Sequence, residues 1–180
     1  MSALHKVISG GQTGVDQAAL RAARECGLTI GGWCPPGRVS EAGEIPAEFP
    51  LRETERDRSP AAPEVPRSQR TEWNVRDSDG TLVLRAGNLS GRPATDDSGT
   101  AWAIECSGRS KKPLLVCGVD DSRAAEKIRQ WLIDFRIETL SVGGPSEGTS
   151  PGIGDKAYAL LVQLFKMKDV SRLSDSSRIL

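Results

Sequence analysis

Apolar and polar positions alternate along the 180-residue chain in blocks that predict strands and helices in turn. Lys6 to Ser9 reads as a first short strand. Val15 to Cys26 reads as a helix whose Ala18, Ala19, Ala22 and Ala23 make a small-residue face that can pack closely on a sheet, and Gly27 is its natural C-cap. Thr29 to Trp33 is a second strand. From 34 to 70 the periodicity fades into Pro, Gly, Arg and Glu. So long an irregular stretch is unusual inside a compact domain and reads as a functional loop or a partly disordered one, with Arg56 to Arg67 its most mobile portion.

Order returns with a short helix from about Arg70, a turn at Asp79-Gly80 and a buried strand from Thr81 to Leu84. A polar loop with Gly87, Ser90, Gly91 and Pro93 follows, and Asp97-Ser98-Gly99-Thr100 opens a helix through about Cys106. Pro113 to Cys117 is the next strand. Asp121 or Ser122 can cap a helix from Arg123 to Phe135, in which Trp131 falls on the core-facing spacing. Thr139 to Val142 is the last strand, ending in Gly143-Gly144-Pro145, and Asp155 to Phe165 the last helix. The chain divides into one domain over 1–168 and a frayed serine- and charge-rich tail over 169–180. This alternation predicts an α/β fold: a Rossmann-like, doubly wound parallel sheet of about five strands with helices on both faces.

Ligands of such sheets bind beyond the carboxyl ends of the strands. The loops at those ends are here polar or glycine-rich: Gly10-Gly11, Trp33-Cys34, the loop feeding Ser98-Gly99-Thr100, and Gly143-Gly144-Pro145. The first is the most informative, because Val7 to Asp16 runs strand, glycine pair, helix. Gly10, Gly11 and Gly14 allow close backbone approach to an anion, the helix start offers N–H groups and partial positive charge, and Thr13 adds a hydroxyl. Asp16 suits the first helical turn and could hold a ribose hydroxyl or a metal–water network. The same loop also serves as a tight turn that binds nothing. No Gly-Lys-Ser/Thr follows it, and its glycine spacing is not Gly-x-Gly-x-x-Gly, which argues against kinases, GTPases and standard NAD dehydrogenases. A second helix start at Gly99-Thr100 could also take phosphate, so a ligand with phosphate plus a nucleoside or heterocycle fits. Arg70, Asn74, Asp77 and Ser78 crowd into one segment, where Asp77 and Asp79 serve either a turn or a ligand.

Charge narrows the partners. Lys plus Arg and Asp plus Glu are 24 each, so neither nucleic acid nor a membrane surface is expected as a partner. No apolar run reaches membrane-spanning length and the first strand begins almost at once, which reads as a cytoplasmic protein. Cys26, Cys34, Cys106 and Cys117 lack Cys-x-x-Cys spacing and read as reduced thiols, Cys117 in the core and Cys34 in a loop where it could be exposed. His5 is the sole histidine, which removes a Ser-His-Asp triad or a histidine-rich zinc site, and no metal ligand set is expected.

Several of these segments together resemble one family. Ile8 to Asp16, Gly31-Gly32-Trp33-Cys34-Pro35, Gly37-Arg38, Arg70 to Thr81, Ser98-Gly99-Thr100, and Gly144-Pro145 through Pro151-Gly152-Ile153 are similar to the bacterial proteins called "putative molybdenum carrier". These are relatives of the algal molybdenum cofactor carrier, in the wider Rossmann-like group of the lonely guy phosphoribohydrolases and DprA. The resemblance runs from about Val7 to Phe165. It implies a homo-oligomer that binds a phosphorylated small molecule, either molybdenum cofactor (molybdopterin) or a nucleotide. Gly10, Gly11, Thr13 and Gly14 would then hold phosphate, with Ser98, Gly99 and Thr100 as second contact; Asp16, Asn74, Asp77 and Asp79 would line the pocket, and Gly144 would also belong to the cofactor-binding set. The phosphoribohydrolase signature Pro-Gly-Gly-x-Gly-Thr-x-x-Glu is absent, and Glu105 lies too far along its helix to replace the acid. A carrier is therefore the leading reading, and a nucleoside-monophosphate phosphoribohydrolase or a nucleotide sensor the alternatives. Leu4, Trp102 and Phe165 serve either an interface or the core.

Overall fold

The computed structural model describes residues 4–87, 97–167 and 170. Down the chain the elements are β1 (Lys6–Ile8), α1 (Val15–Glu25), β2 (Thr29–Gly31), β3 (Trp33–Cys34), β4 (Val39–Ser40), β5 (Gly43–Glu44), β6 (Arg52–Glu53), α2 (Ser68–Arg76), β7 (Gly80–Arg85), α3 (Ser98–Arg109), β8 (Leu114–Gly118), α4 (Ala124–Asp134), β9 (Thr139–Gly143) and α5 (Ile153–Phe165), with a 3-10 turn at Pro36–Arg38. The central sheet has five strands in the order β2-β1-β9-β7-β8, and every neighbouring pair is parallel. This is the Rossmann-like α/β architecture that the alternation predicts. The last strand to appear in sequence lies in the middle, so its Leu140, Ser141 and Val142 are all buried.

Helix α1 packs on α5, α5 packs on α4, and α2 packs on α3. The alanine face of α1 does what small side chains allow: Ala18, Ala19, Ala22 and Ala23 are buried, and Val7, Leu82, Leu140, Leu161 and Phe165 belong to the same core. A fully buried leucine is worth about 1.5–3 kcal/mol relative to an exposed one, so this layer holds most of the stability. The α2–α3 side has a smaller core of Ala62, Val75, Trp102 and Cys106. Leu4, Trp102 and Phe165 are buried within this chain, so none is left to face another copy.

The second strand is shorter than its apolar pattern suggests. Gly32 at φ +127° turns the chain out of the sheet, pressed so closely on β1 that a Cβ there would lie 2.4 Å from the Ser9 carbonyl oxygen. Trp33 and Cys34 instead pair with Arg52 and Glu53. The aperiodic stretch 34–70 is folded around its own core of Leu20, Cys34, Ile45, Phe49 and Leu51. Arg38 stitches that loop by donating to the carbonyls of Leu51 (2.9 Å), Phe49 (3.0 Å) and Pro46 (3.2 Å). Residues 56–67 are pinned by polar side chains. The Arg56 N–H donates to Gln69 Oε1 at 2.9 Å, the Ser59 N–H to Ser68 Oγ at 2.8 Å, and Ser68 Oγ to the Ala62 carbonyl at 3.0 Å. Cys34 is fully buried rather than exposed in a loop. The Ser90, Gly91 and Pro93 loop lies outside the described residues. So does the tail 169–180 apart from Val170, which packs into the main core.

Candidate functional site

Beyond the carboxyl ends of β1, β7 and β9 lies a cavity of about 270 Å³. Its walls are the loop after β1, the tip of the β4–β5 hairpin, the starts of α2 and α3, and the loop after β9. At its floor, Asp16 of α1 is 3% exposed and meets Arg70 of α2, with Nη1 donating to Oδ2 at 2.7 Å. The Gln12 N–H donates to the same oxygen at 3.2 Å. Burial pushes the Asp16 carboxyl up, and the Arg70 guanidinium acts against that. Gly10 makes the pair possible: a Cβ there would fall 1.8 Å from Arg70 Nη1. The Arg70 Nε is buried and has no hydrogen-bond partner among the described residues.

The glycine loop is closed on itself. The Thr13 N–H donates to Gln12 Oε1 (3.0 Å), the Val15 N–H to the Pro145 carbonyl (3.2 Å) and the Gln17 N–H to the Gln12 carbonyl (3.1 Å). Gly11 at φ +78° presses on Leu51 and Ile45. Gly14 at φ +76° leaves no room for a Cβ, which would lie 2.5 Å from the Pro145 carbonyl oxygen. Thr13 turns its hydroxyl to the Glu41 carboxylate. That carboxylate also accepts from Ser146 Oγ and from the Gly148 N–H, each at 2.8 Å, and these bonds hold its pKa below the ordinary range. Gly144 borders the cavity, and a Cβ on it would lie 2.3 Å from the Leu84 carbonyl oxygen.

The start of α3 is open by comparison. Asp97 caps it, accepting the Thr100 N–H at 2.9 Å and the Thr100 hydroxyl at 3.0 Å. Ser98 and Gly99 line the cavity, and no partner for their N–H groups occurs among the described residues. Arg67, the N-cap of α2, also lines the cavity. Its backbone is held at φ +57° by an N–H bond to Asp57 Oδ2 at 3.1 Å. Its guanidinium makes no hydrogen bond or ion pair among the described residues.

Of the residues singled out in sequence, the structure brings Asp16, Ser98, Gly99, Thr100 and Gly144 to this cavity. Gly10, Gly11, Thr13 and Gly14 stand behind its wall, and three others lie elsewhere. Asn74 straps α2 to β3: its Oδ1 accepts the Trp33 N–H at 2.9 Å and its Nδ2 donates to the Trp33 carbonyl at 3.0 Å. Asp77 accepts from Trp33 Nε1 at 2.7 Å and pairs with Arg76, beside a separate hollow of about 240 Å³ that includes Lys6, Gly32 and Arg52. Asp79 is at the opposite end of the sheet, accepting the N–H groups of Thr139 (2.7 Å) and Glu138 (3.1 Å). The crowding of polar groups from Arg70 to Asp79 thus serves mainly to tie segments together. Glu105 is exposed and pairs with Arg109. Burial raises the Cys34 and Cys117 thiols and pushes Cys106 up to about 12, so none of these is primed as a nucleophile.

Sequence reasoning missed Gln12, Glu41, Arg67, Ser146 and Thr149 at the cavity. Arg67 and Arg70 carry a usable signal, two cations three residues apart at the opening of a helix beside the glycine loops. Glu41 carries none, because its hairpin has no hydrophobic period. Among the described residues there is no group of three or more His, Cys, Asp or Glu suited to a metal ion, and no helix long and apolar enough to cross a membrane.

The family model described as "Circularly permutated YpsA SLOG family" matches residues 7–165. The fold is similar to the crystal structure of a protein titled "Putative molybdenum carrier protein" from Syntrophus aciditrophicus SB, at 34% identity and TM-score 0.74, over 92% of this chain and 97% of that one. No curated protein matches the chain.

Proposed function

Because the chain belongs to the circularly permutated YpsA SLOG family, we propose that it is a small-molecule carrier whose cavity holds a phosphorylated heterocycle, molybdenum cofactor or a nucleotide. One observation carries this reading: the Arg67 guanidinium, which makes no hydrogen bond or ion pair among the described residues, and the start of α3 line the same cavity at the carboxyl ends of the strands. The Ser98 and Gly99 N–H groups and the dipole of a 12-residue helix favour an anion by about 0.3–1 kcal/mol, and Arg67 can add a bidentate contact. Asp16 and Arg70, locked to each other, form a rigid polar floor against which a ring could lie. In this reading the glycines after β1 shape the wall by close packing, and α3 takes the phosphate.

The test is to purify the protein gently without oxygen, denature it in acid, identify the released small molecules by mass spectrometry and count molybdenum alongside. A phosphorylated pterin or nucleotide near one per chain, lost in R67A, is expected. An empty protein that also fails to bind added AMP would overturn the reading.

A second reading rests on Asp16. Among the acids singled out for a hydrolase, Asp79 and Glu105 lie away from the cavity and Asp77 lies beside another hollow. Asp16 is the buried acid at the floor, with its carboxyl raised. A carboxyl raised by burial suits a proton donor to the leaving base during cleavage of a nucleoside monophosphate. Release of free base and ribose 5-phosphate, abolished in D16N, would favour this over a carrier.

A further inference from the structure

The Glu41 carboxylate sits where a ligand oxyanion would be expected. Its donors come from two loops that follow neighbouring central strands: the Thr13 hydroxyl from the loop after β1, and the Ser146 hydroxyl and Gly148 N–H from the loop after β9. The two loops are clamped together by Gly14 against Pro145 and by the Val15 N–H to the Pro145 carbonyl. Gly148 has no side chain, and a Cβ there would lie 2.7 Å from Glu41 Oε2. The carboxylate itself arrives from outside the central sheet, on the turn of a hairpin whose strands are two residues each. Three donors thus converge on one anionic group at the cavity wall. The group that fills them belongs to an exposed side chain, which a rotation about its own bonds can withdraw.

We infer that Glu41 is a built-in occupant of an oxyanion subsite, displaced when an anionic group of the ligand enters the cradle of Thr13, Ser146 and Gly148. The ligand chemistry is a tetrahedral oxyanion, either free, such as phosphate or molybdate, or as the phosphate ester of a larger molecule. The subsite lies on the wall that Glu41, Ser146 and Thr149 form, in the same cavity as the Arg67 and α3 donors, and the Arg67 charge acts on the Glu41 carboxylate. With Glu41 seated, an incoming anion meets a like charge and finds the donors spent. With Glu41 withdrawn, two hydroxyls and an N–H become free together. The backbone of the turn stays put during this exchange, because the Glu41 N–H is held by Gln12 Oε1 at 2.9 Å and Ser40 Oγ bonds the Gly43 carbonyl at 2.9 Å. The inference deepens the carrier reading by assigning a second anion contact in the same cavity.

The experiment is calorimetric titration of the full chain and of E41A and E41Q with inorganic phosphate, molybdate and AMP in separate arms. E41Q keeps the side-chain volume should E41A fold poorly. Both variants are expected to bind at least one of these anions about tenfold more tightly than the unaltered chain, the scale of a charge-assisted hydrogen bond set free. Adding S146A to E41A should return the affinity towards the starting value. Tightening for phosphate and molybdate alone assigns the cradle to a free oxyanion, and tightening for AMP assigns it to a phosphate ester. Unchanged or weaker binding of all three in both variants overturns the inference, as does a double variant that binds as tightly as E41A. The carrier reading fails separately, by an empty protein from gentle purification that also refuses AMP.

Discussion

Two helix starts face the same end of this sheet, and they use their donors in opposite ways. At α1 the loop bonds to itself: the Gln12 N–H goes to Asp16, the Thr13 N–H to the Gln12 side chain, and Gly11 and Gly14 are filled by Leu51 and Pro145. At α3 Asp97 takes the N–H and the hydroxyl of Thr100, and Ser98 and Gly99 open on the cavity with Arg67. The first region is built for rigidity and the second for a guest. A glycine-rich turn shows that backbones approach closely, but only the structure shows whether a ligand or another strand is what approaches.

That contrast predicts that changes around α1 act on stability and changes around α3 on binding. The largest effect should come from R70M, which leaves Asp16 buried without its cation and should cost about 3–5 kcal/mol in urea unfolding. An R70M protein as stable as the original would mean the pair is not structural. G144A comes next: its Cβ would fall 2.3 Å from the Leu84 carbonyl and 2.8 Å from Val15 Cγ2, an overpacking worth about 1–3 kcal/mol. R67A should weaken AMP binding by about tenfold or more with no change in the unfolding midpoint, since its guanidinium holds nothing else among the described residues. Loss of stability in R67A would blur the division. D97A is the exception on the α3 side: it removes the helix cap and should cost about 1 kcal/mol in urea unfolding.

The smallest effect concerns pH. The hydrogen bond from Arg76, with a second from Trp33 Nε1, holds the Asp77 carboxyl below its ordinary 3.8. The folded state therefore binds the proton less readily than the unfolded chain. The stability this gives is complete above the unfolded value and fades as pH falls through the folded one. In thermal melts below about pH 4, D77N should lose part of the acid-limb decline while leaving AMP binding at neutral pH unaltered. An AMP defect in D77N would move the ligand towards the hollow at Trp33 and break the comparison.

Much of the sheet was legible because parallel strands and their covering helices leave strong periods: the β-branched start at Lys6–Ile8, the alanine face of α1 and the Ile128–Trp131–Leu132 spacing of α4 all land where their patterns put them. Strand order was not legible, since nothing in Thr139–Gly143 marks it as central rather than an edge. The folded stretch 34–70 escaped because its order rests on Arg38, Ser59, Ser68 and Gln69 bonding to backbone groups, which leaves no hydrophobic period. At the site, Ser98, Gly99 and Thr100 could be read from a helix start after a polar loop. Glu41 and Ser146 could not, because their meeting across 105 positions depends on the fold alone.

The place of β9 has a consequence for how the chain is made. Before residues 139–143 leave the ribosome, β1 with β2 and β7 with β8 are two separate ribbons, each with an open edge where β9 will later insert. Unpaired edges invite wrong partners, and contacts that close over more than a hundred residues form slowly. The nascent chain therefore carries its aggregation hazard until β9 itself has been made. A chain stopped short of β9 would be expected to depend on chaperones even though it already contains the α1 and α3 helix starts and both residues of the Arg70–Asp16 pair.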